Sequence, residues 1–267
     1  MEKDKKLISI LITHYNRPED LLKCLNAIKK IGIKNYEIVV SDDGSKIENI
    51  ELLKQYDIDK LLLSKTNQGL AANINRGIDA CHGKYIIYCQ EDFILSPGIK
   101  HILTECMELL KIDRVDLIRF TANQNFKKLI KLTESISLIP KFSFKNILIN
   151  FFQYSDHPFI TKKKFYYKYG KYLENTSGRY GEMEYAIRIF KSKARIAITH
   201  DKLADVITGS ESVLLNEEIG RHSKFKMNKN LKQIIRAFRL YFEWVFYNDK
   251  KRGLITYKNL RKVKPKC

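Results

Sequence analysis

Over its first hundred residues the chain alternates continuously apolar runs with amphipathic stretches. Residues 7–13 (LISILIT) are apolar throughout and rich in β-branched side chains, as a strand covered on both faces should be. Residues 17–31 (RPEDLLKCLNAIKKI) predict a helix. Pro18 falls in its first turn, Glu19 and Asp20 sit near the positive end of its dipole, and Leu21, Leu22, Leu25 and Ile28 share a face. Residues 36–45 (YEIVVSDDGS) read as a second strand that stops at Asp42-Asp43-Gly44, and residues 47–56 (IENIELLKQY) as a second helix. DKLLLSK predicts a third strand, GLAANINRGIDAC a third helix and KYIIYCQ a fourth strand. This order at this spacing implies right-handed crossovers, hence an α/β fold with a mostly parallel central sheet flanked by helices.

Beyond residue 100 the periods weaken. HILTECMELLKID predicts a helix, VDLIRFTA a strand, residues 181–193 (GEMEYAIRIFKSK) a helix start, and ARIAITH a strand. Residues 126–152 mix Lys, Phe and Ile without a clear period and read as loop with short helix. No internal repeat or low-complexity linker marks a firm boundary; the expected division is a main domain over 1–222, with halves of about 1–100 and 101–222, and a basic tail over 223–267.

Three polar clusters fall just past strand ends: Thr13-His14-Tyr15-Asn16, Ser41-Asp42-Asp43 and Gln90-Glu91-Asp92. Singly, each is an ordinary turn, because Asp, Asn and Gly suit turns. On one edge of a parallel sheet they form a rim, and ligands of such sheets bind outside the carboxyl ends of the strands.

Composition narrows the chemistry. A hydrophobic share of 44% in 267 residues supports one sizeable core. Forty-nine Lys and Arg against 30 Asp and Glu give +19, which favours anionic partners: phosphorylated substrates, an acidic membrane surface or nucleic acid. The five cysteines, Cys24, Cys81, Cys89, Cys106 and Cys267, lack CxxC spacing and read as free thiols of a reducing compartment. The N-terminal apolar piece is short for a signal peptide, and no run approaches a membrane span, so a cytoplasmic protein is expected, with peripheral attachment open.

ISILITHYNRPEDLLKCLNAI, YEIVVSDDGS, NQGLAANINRGIDACHGKYIIYCQEDF and GEMEYAIRIF occur in this order, and together they resemble the family 2 glycosyltransferases, which have a GT-A (Rossmann-like) fold and use nucleotide-activated sugars. The resemblance is specific over about 7–97, weaker over 155–198 and absent at the C-terminus. It implies that Thr13, Tyr15, Asn16 and Arg17 form the nucleotide-facing first loop. It implies that Asp42 or Asp43 accepts the imino proton of a uracil or thymine ring, the other stabilising the turn at Gly44. Asn67 and Gly69 match the segment whose amides suit a phosphate. Where the family often has Arg before Asn75, this chain has Ile74, and Arg76 follows instead as a diphosphate contact.

Gln90-Glu91-Asp92 falls where the family has its DxD motif. Asp92 takes the second Asp position and is expected to bind Mg2+ or Mn2+. Gln90 replaces the first Asp and keeps hydrogen-bonding capacity for a ribose hydroxyl without charge; Glu91 is either a second ligand or solvent-facing. GEMEYAIR resembles the helix start that carries the base of inverting members. Counting back from Arg188 puts Glu182 at the base position, with Glu184 as the alternate. The ordinary alternatives are a helix-surface ion pair for Glu184, four residues before Arg188, and dipole complementation for Glu182. His157 is an expected acceptor-side contact. His200 and His222 match no ligand position, and the NTS at Asn175 is a glycosylation sequon by pattern only.

The stretch LKQIIRAFRLYFEWVFY (231–247) is strongly amphipathic. At about 100° per residue, Lys232, Arg236, Arg239 and Glu243 fall in one narrow sector. Leu231, Ile234, Ile235, Phe238, Tyr241, Phe242, Val245 and Phe246 share the opposite arc, with Trp244 and Tyr247 near its border. Such a helix either lies on an anionic membrane or packs its apolar face on the domain. The expected partners are thus a nucleotide-sugar donor, a glycan or lipid-linked acceptor, and an anionic membrane surface. The alternative is a basic RNA- or membrane-binding protein with a degenerate site.

Overall fold

Among the described residues nine strands pair into one sheet, and their order turns the N-terminal apolar runs into a rim. The computed structural model describes residues 6–176, 178–207, 228–248, 251–252 and 255–256. The first half comprises β1 (Ile8–His14), α1 (Pro18–Ile31), β2 (Tyr36–Asp42), α2 (Ile47–Leu53), β3 (Lys60–Leu63), α3 (Leu70–Ala80), β4 (Tyr85–Gln90), β5 (Phe93–Leu95) and α4 (Ile99–Lys111). Then come β6 (Leu117–Arg119), β7 (Ile130–Lys131), β8 (Ile136–Leu138), β9 (Phe159–Lys162), α5 (Lys164–Tyr169), α6 (Gly178–Lys191), β10 (Ile196–Thr199) and β11 (Ala204–Val206). The last described elements are α7 (Lys229–Val245) and a small hairpin, β12 (Lys251–Arg252) and β13 (Ile255–Thr256).

The sheet order is β3-β2-β1-β4-β9-β6-β10-β8-β7. β1 pairs in parallel with β2 and β4, and β2 with β3, so the strand ends carrying His14, Asp42 and Gln90 lie side by side. β6 and β10 are also parallel, whereas β9 runs against both β4 and β6, and β8 against β10. The α/β, mostly parallel expectation holds, with β9 and β8 reversed. β5 and β11 form a separate antiparallel pair beside the rim.

Both faces of β1 are buried. Ile10 and Ile12 join Leu21, Leu25 and Ile28 of α1 and Leu103 of α4 on one side. Leu11 joins Ile74 and Ile78 of α3 and Ile187 of α6 on the other. Successive strand side chains point to opposite faces, so a doubly covered strand must be apolar at every position. α3 lies so close to β1 that a Cβ at Gly77 would sit 2.3 Å from a Leu11 methyl.

Several expectations change. Leu22 is 41% exposed, because one residue past Leu21 is about 100° around the helix, and the buried stripe runs through Leu21, Cys24, Leu25, Ile28 and Ile31. β7 and β8 lie within residues read as loop, together with two short 3-10 turns, Phe144–Asn146 and Asn150–Gln153. β9 is not predicted as a strand by the sequence. It is four residues long, and its buried Lys162, bound to Leu110 O and Asp113, disguises it as a polar segment end. α6 starts at Gly178, three residues earlier than expected, so Glu182 lies in its second turn rather than at the dipole's end. Cys24, Cys81, Cys89 and Cys106 are buried free thiols; Cys267 and His222 lie outside the described residues. No described helix is long and apolar enough to cross a membrane.

Candidate active site at the carboxyl edge of the sheet

The ends of β1 and β2 are clamped by a buried imidazole. The Arg17 backbone N–H donates to His14 Nε2 at 3.1 Å, which leaves the ring proton on Nδ1, where it donates to Asp42 Oδ2 at 2.8 Å. Asp42 also accepts from the Ser45 hydroxyl and from the backbone N–H groups of Gly44 and Ser45, at 3.0 and 2.9 Å. Burial pushes the Asp42 carboxyl up, but His14 and Ser45 outweigh it and hold it below its ordinary value. Asp42 is fully buried, so it is the turn-stabilising member of the acidic pair. Gly44 has φ 78°, and a Cβ there would lie 2.5 Å from the Thr66 carbonyl carbon, so the turn requires glycine.

Asp43 is held differently. Its Oδ1 accepts the Gln68 N–H at 3.1 Å and its Oδ2 the Gly69 N–H at 2.8 Å. The Gly69 amide expected to face a phosphate is therefore turned onto Asp43, and it also meets Asn67 Oδ1 at 3.1 Å. Burial raises the Asp43 carboxyl above its ordinary value despite these amides. A carboxylate accepting two hydrogen bonds keeps further lone pairs. Arg76 lies across the end of β2, donating to Ser41 Oγ (3.2 Å), Asp42 O (2.6 Å) and Asn73 Oδ1 (2.7 Å). Asn16, at φ 55°, clips the first loop to the second, since its Oδ1 accepts from Lys46 N at 2.8 Å and Asn49 Nδ2 at 3.1 Å. Asn16 is thus a structural member of the loop, whereas Tyr15 beside it is half-buried.

At the end of β4, Thr13 Oγ1 lies 3.3 Å from the Tyr88 hydroxyl, and Glu91 N donates to Thr13 O at 3.1 Å. Burial, with the neighbouring Asp92 charge, pushes the Glu91 carboxyl up to about 8, so with no cation beside it the group is protonated at neutral pH. Asp92 meets Arg17 Nη1 at 3.4 Å through Oδ2, while its Oδ1 is buried with no hydrogen-bond partner. Burial raises Asp92 too, against the pull of Arg17. Among the described residues no three His, Cys, Asp or Glu side chains gather as a ready-made metal cage.

The rim continues through Asp156, with Tyr172 and Arg119 behind it, which the sequence reading passed over. Gln90 Nε2 donates to Asp156 O at 3.4 Å, and Asp156 N donates to Glu182 Oε1 at 3.3 Å. The Asp156 carboxyl accepts from the Tyr172 hydroxyl at 2.6 Å, and burial beside Glu182 pushes it well above the carboxylate range. Behind it, Arg119 is buried and donates to Phe152 O (2.6 Å), Gln153 O (3.1 Å) and Ser155 Oγ (2.7 Å); burial lowers it to about 10. The available signal was an arginine inside the apolar run VDLIRF, since charged residues are rarely buried without a specific role. His157 lies 3.2 Å from Asn123 Nδ2 through Nε2, and its ring centroid is 5.6 Å from that of Phe93. Burial and the nearby Arg119 lower it to about 4, so it is neutral at pH 7.

Glu184 points elsewhere. It takes Arg188 through both oxygens, at 2.9 and 2.8 Å, and accepts the Tyr247 hydroxyl at 3.0 Å. Its bonds are those of a buried structural pair. Gly181, one residue before Glu182, packs on the start of α3, where an added Cβ would lie 3.8 Å from Ala71 Cβ. The start of α3 is held in turn by Asp43. The ends of β1, β2 and β4, the N-terminus of α3 and the second turn of α6 therefore border one rim. Shallow concavities of about 270 Å3 beside Lys141 and Arg195 and about 350 Å3 beside Lys23 and Pro97 lie elsewhere, and neither gathers carboxylates.

A family model described as glycosyl transferase family 2 matches residues 9–174. EpsH of Bacillus subtilis (strain 168), which carries a glycosyltransferase name, is 28% identical over 116 residues, 42% of this chain and 32% of EpsH. An uncharacterized glycosyltransferase of Haemophilus influenzae (strain ATCC 51907 / DSM 11121 / KW20 / Rd) is 36% identical over 103 residues, 35% of this chain and 40% of that protein. The chain thus aligns with less than half the length of these relatives. The crystal structure of S. aureus TarS 1-349 in complex with UDP-GlcNAc superposes with a TM-score of 0.61 at 13% identity, covering 92% of this chain and 68% of TarS. The complex of TarS 1-349 with UDP gives 0.58 at 14% identity, covering 90% and 81%. At such identity the likeness is one of fold, and the GT-A arrangement is shared.

Proposed function

The chain belongs to glycosyl transferase family 2, and from that premise we propose that it moves a glycosyl group from a nucleotide sugar, UDP- or dTDP-linked, to a hydroxyl of a surface-polysaccharide or lipid-linked glycan acceptor, with inversion at the anomeric carbon. The observation that carries this reading is the rim that Asp43 and Asp92, just past the ends of β2 and β4, share with Glu182 of α6, which reaches Gln90 through Asp156. The UDP and UDP-GlcNAc complexes of TarS, which shares the fold, support a uridine diphosphate donor.

In this reading Asp43 accepts the imino proton of the pyrimidine on a remaining lone pair, and the half-buried Tyr15 ring covers the base. Arg17, beside Asp92, faces the diphosphate. Mg2+ takes one or two protein carboxylates together with substrate phosphates and water. The orphaned Asp92 Oδ1 fits that donor set for Mg2+ or Mn2+. The cation, when bound, neutralises charge on the departing diphosphate. Glu182, whose Oε1 is oriented by the Asp156 N–H, takes the proton of the acceptor hydroxyl as its oxygen attacks the anomeric carbon. Neutral His157 contacts the acceptor.

The test is a thermal-shift titration with UDP and dTDP, with and without Mn2+, followed by donor turnover in wild type and Asp92→Ala with and without EDTA. A ligand at about 100 times its Kd adds about 2.7 kcal/mol, a melting shift of several degrees. Full activity of Asp92→Ala would remove the metal assignment. No response to either nucleotide, coupled with salt-sensitive RNA binding, would replace the transferase reading with the nucleic-acid one.

A further inference from the structure

Helix α7 packs on the protein with the face opposite to its apolar stripe. Ala237, Leu240 and Glu243 are buried, Trp244 meets Phe190 with ring centroids 5.7 Å apart, and Tyr241 donates its hydroxyl to Ile147 O at 2.9 Å. Tyr247 then ties the end of the helix to Glu184 of α6. Of the two alternatives read from the sequence, packing of the apolar arc on the domain does not hold. Leu231, Ile235, Phe238, Phe242, Val245 and Phe246 are all exposed, Phe238 by 72% and Val245 by 63%. The surface continues past Tyr241, whose ring lies 6.5 Å from Phe142; Phe142 stacks edge-on with Phe144, which is 81% exposed. Exposed Lys145, Lys232 and Arg239 border it.

We propose that this surface docks on a bilayer containing anionic lipid, its aromatic and aliphatic side chains in the interface and its basic border among the headgroups. A helix with this division of faces binds at such an interface, and each nearby Lys or Arg adds electrostatic attraction. Charge selects the occupant. Two copies of the chain would bring +19 against +19, whereas an acidic leaflet converts the same charge into attraction. Single-stranded nucleic acid would stack on aromatic rings, but Leu231, Ile235 and Val245 offer no ring face. The surface uses none of the rim residues, so its test stands apart from donor binding.

The experiment is co-sedimentation of the full chain with phosphatidylcholine vesicles with and without phosphatidylglycerol. Binding is expected on the anionic vesicles and about tenfold or more weaker on phosphatidylcholine alone, with loss at high salt. The triple variant Phe144→Ser, Phe238→Ser, Val245→Ser, which leaves net charge unchanged, is expected to bind the anionic vesicles about tenfold more weakly. Its folding is checked by melting and by the emission of Trp244, the chain's single tryptophan, which rests on Phe190 and reports that α7 stays docked. If the triple variant melts early, Phe144→Ser alone, outside the helix, carries the comparison. Wild-type affinity in the variants, absence of vesicle binding by the wild type, RNA retention in its place, or a self-associated dimer that the triple variant abolishes would each overturn the proposal.

Discussion

Glu182 and Glu184 lie two residues apart on one helix, and their surroundings predict opposite consequences for the same substitution. In Glu184→Gln a bidentate pair with Arg188 is lost, together with the charge that receives the Tyr247 hydroxyl. The Glu184 side chain is 4% exposed and that of Arg188 24%, so the pair is only partly screened. Breaking a fully buried pair costs about 3–5 kcal/mol. Arg188 keeps its bonds to Tyr169 O and Lys171 O, and glutamine keeps one acceptor, which brings the expected loss to about 2–3 kcal/mol. For a chain of this size that is a fall in melting temperature of roughly 4–10 °C. Glu182→Gln preserves an oxygen for the Asp156 N–H, so its melting temperature should move by a degree or two, whereas turnover should fall about 10²–10⁴-fold with loss of the base. The assay is glycosyl transfer or donor hydrolysis beside a melting curve for each variant at the same pH. A stable, inactive Glu184→Gln beside a fully active Glu182→Gln would refute the assignment and move the base to Glu184.

Glu91, pushed up to about 8, binds a proton in the folded chain that the unfolded chain has already released above about pH 4.3. Wild type should therefore lose stability as pH rises from about 4.3 to 8, and Glu91→Gln should melt higher than wild type at pH 9 but close to it at pH 5; the reverse order in a pH series would exclude a protonated Glu91. Asp42 has the opposite sign: held below its ordinary value, it contributes stability above about pH 3.9 that disappears as pH falls through its lower folded value. Asp42→Asn should cost about 2–4 kcal/mol at pH 7, and the gap to wild type should narrow in acid; chemical denaturation at both pH values measures it. Nucleotide stabilisation that requires Mn2+ and fails in Asp92→Ala checks the cation assignment, and the serine triple variant checks the bilayer surface by its lost vesicle binding.

What the sequence alone determined is local or periodic. β1, β2 and β4 are continuously apolar because the finished sheet buries both their faces, and that requirement is written in every residue. The polar clusters after them follow from the βα turns, and their placement on one edge follows from the parallel order. Only the tertiary structure decided what depends on contacts distant in the chain. Asp42 and Asp43 are the same residue type at adjacent positions; His14, 28 residues before Asp42, takes Asp42 into the turn and leaves Asp43 on the amides of Gln68 and Gly69. β9 is too short to show a period, and its reversed place between β4 and β6 exists only once both strands are formed, which is why Asp156 beside Glu182 was unread. The amphipathic character of α7 was plain, yet its orientation was not. Hydrophobicity says that an apolar face seeks cover but does not name the cover, and the small inner stripe of Ala237 and Leu240, with Tyr241 and Tyr247 as hydrogen-bonded anchors, fits the protein and leaves the larger face outward.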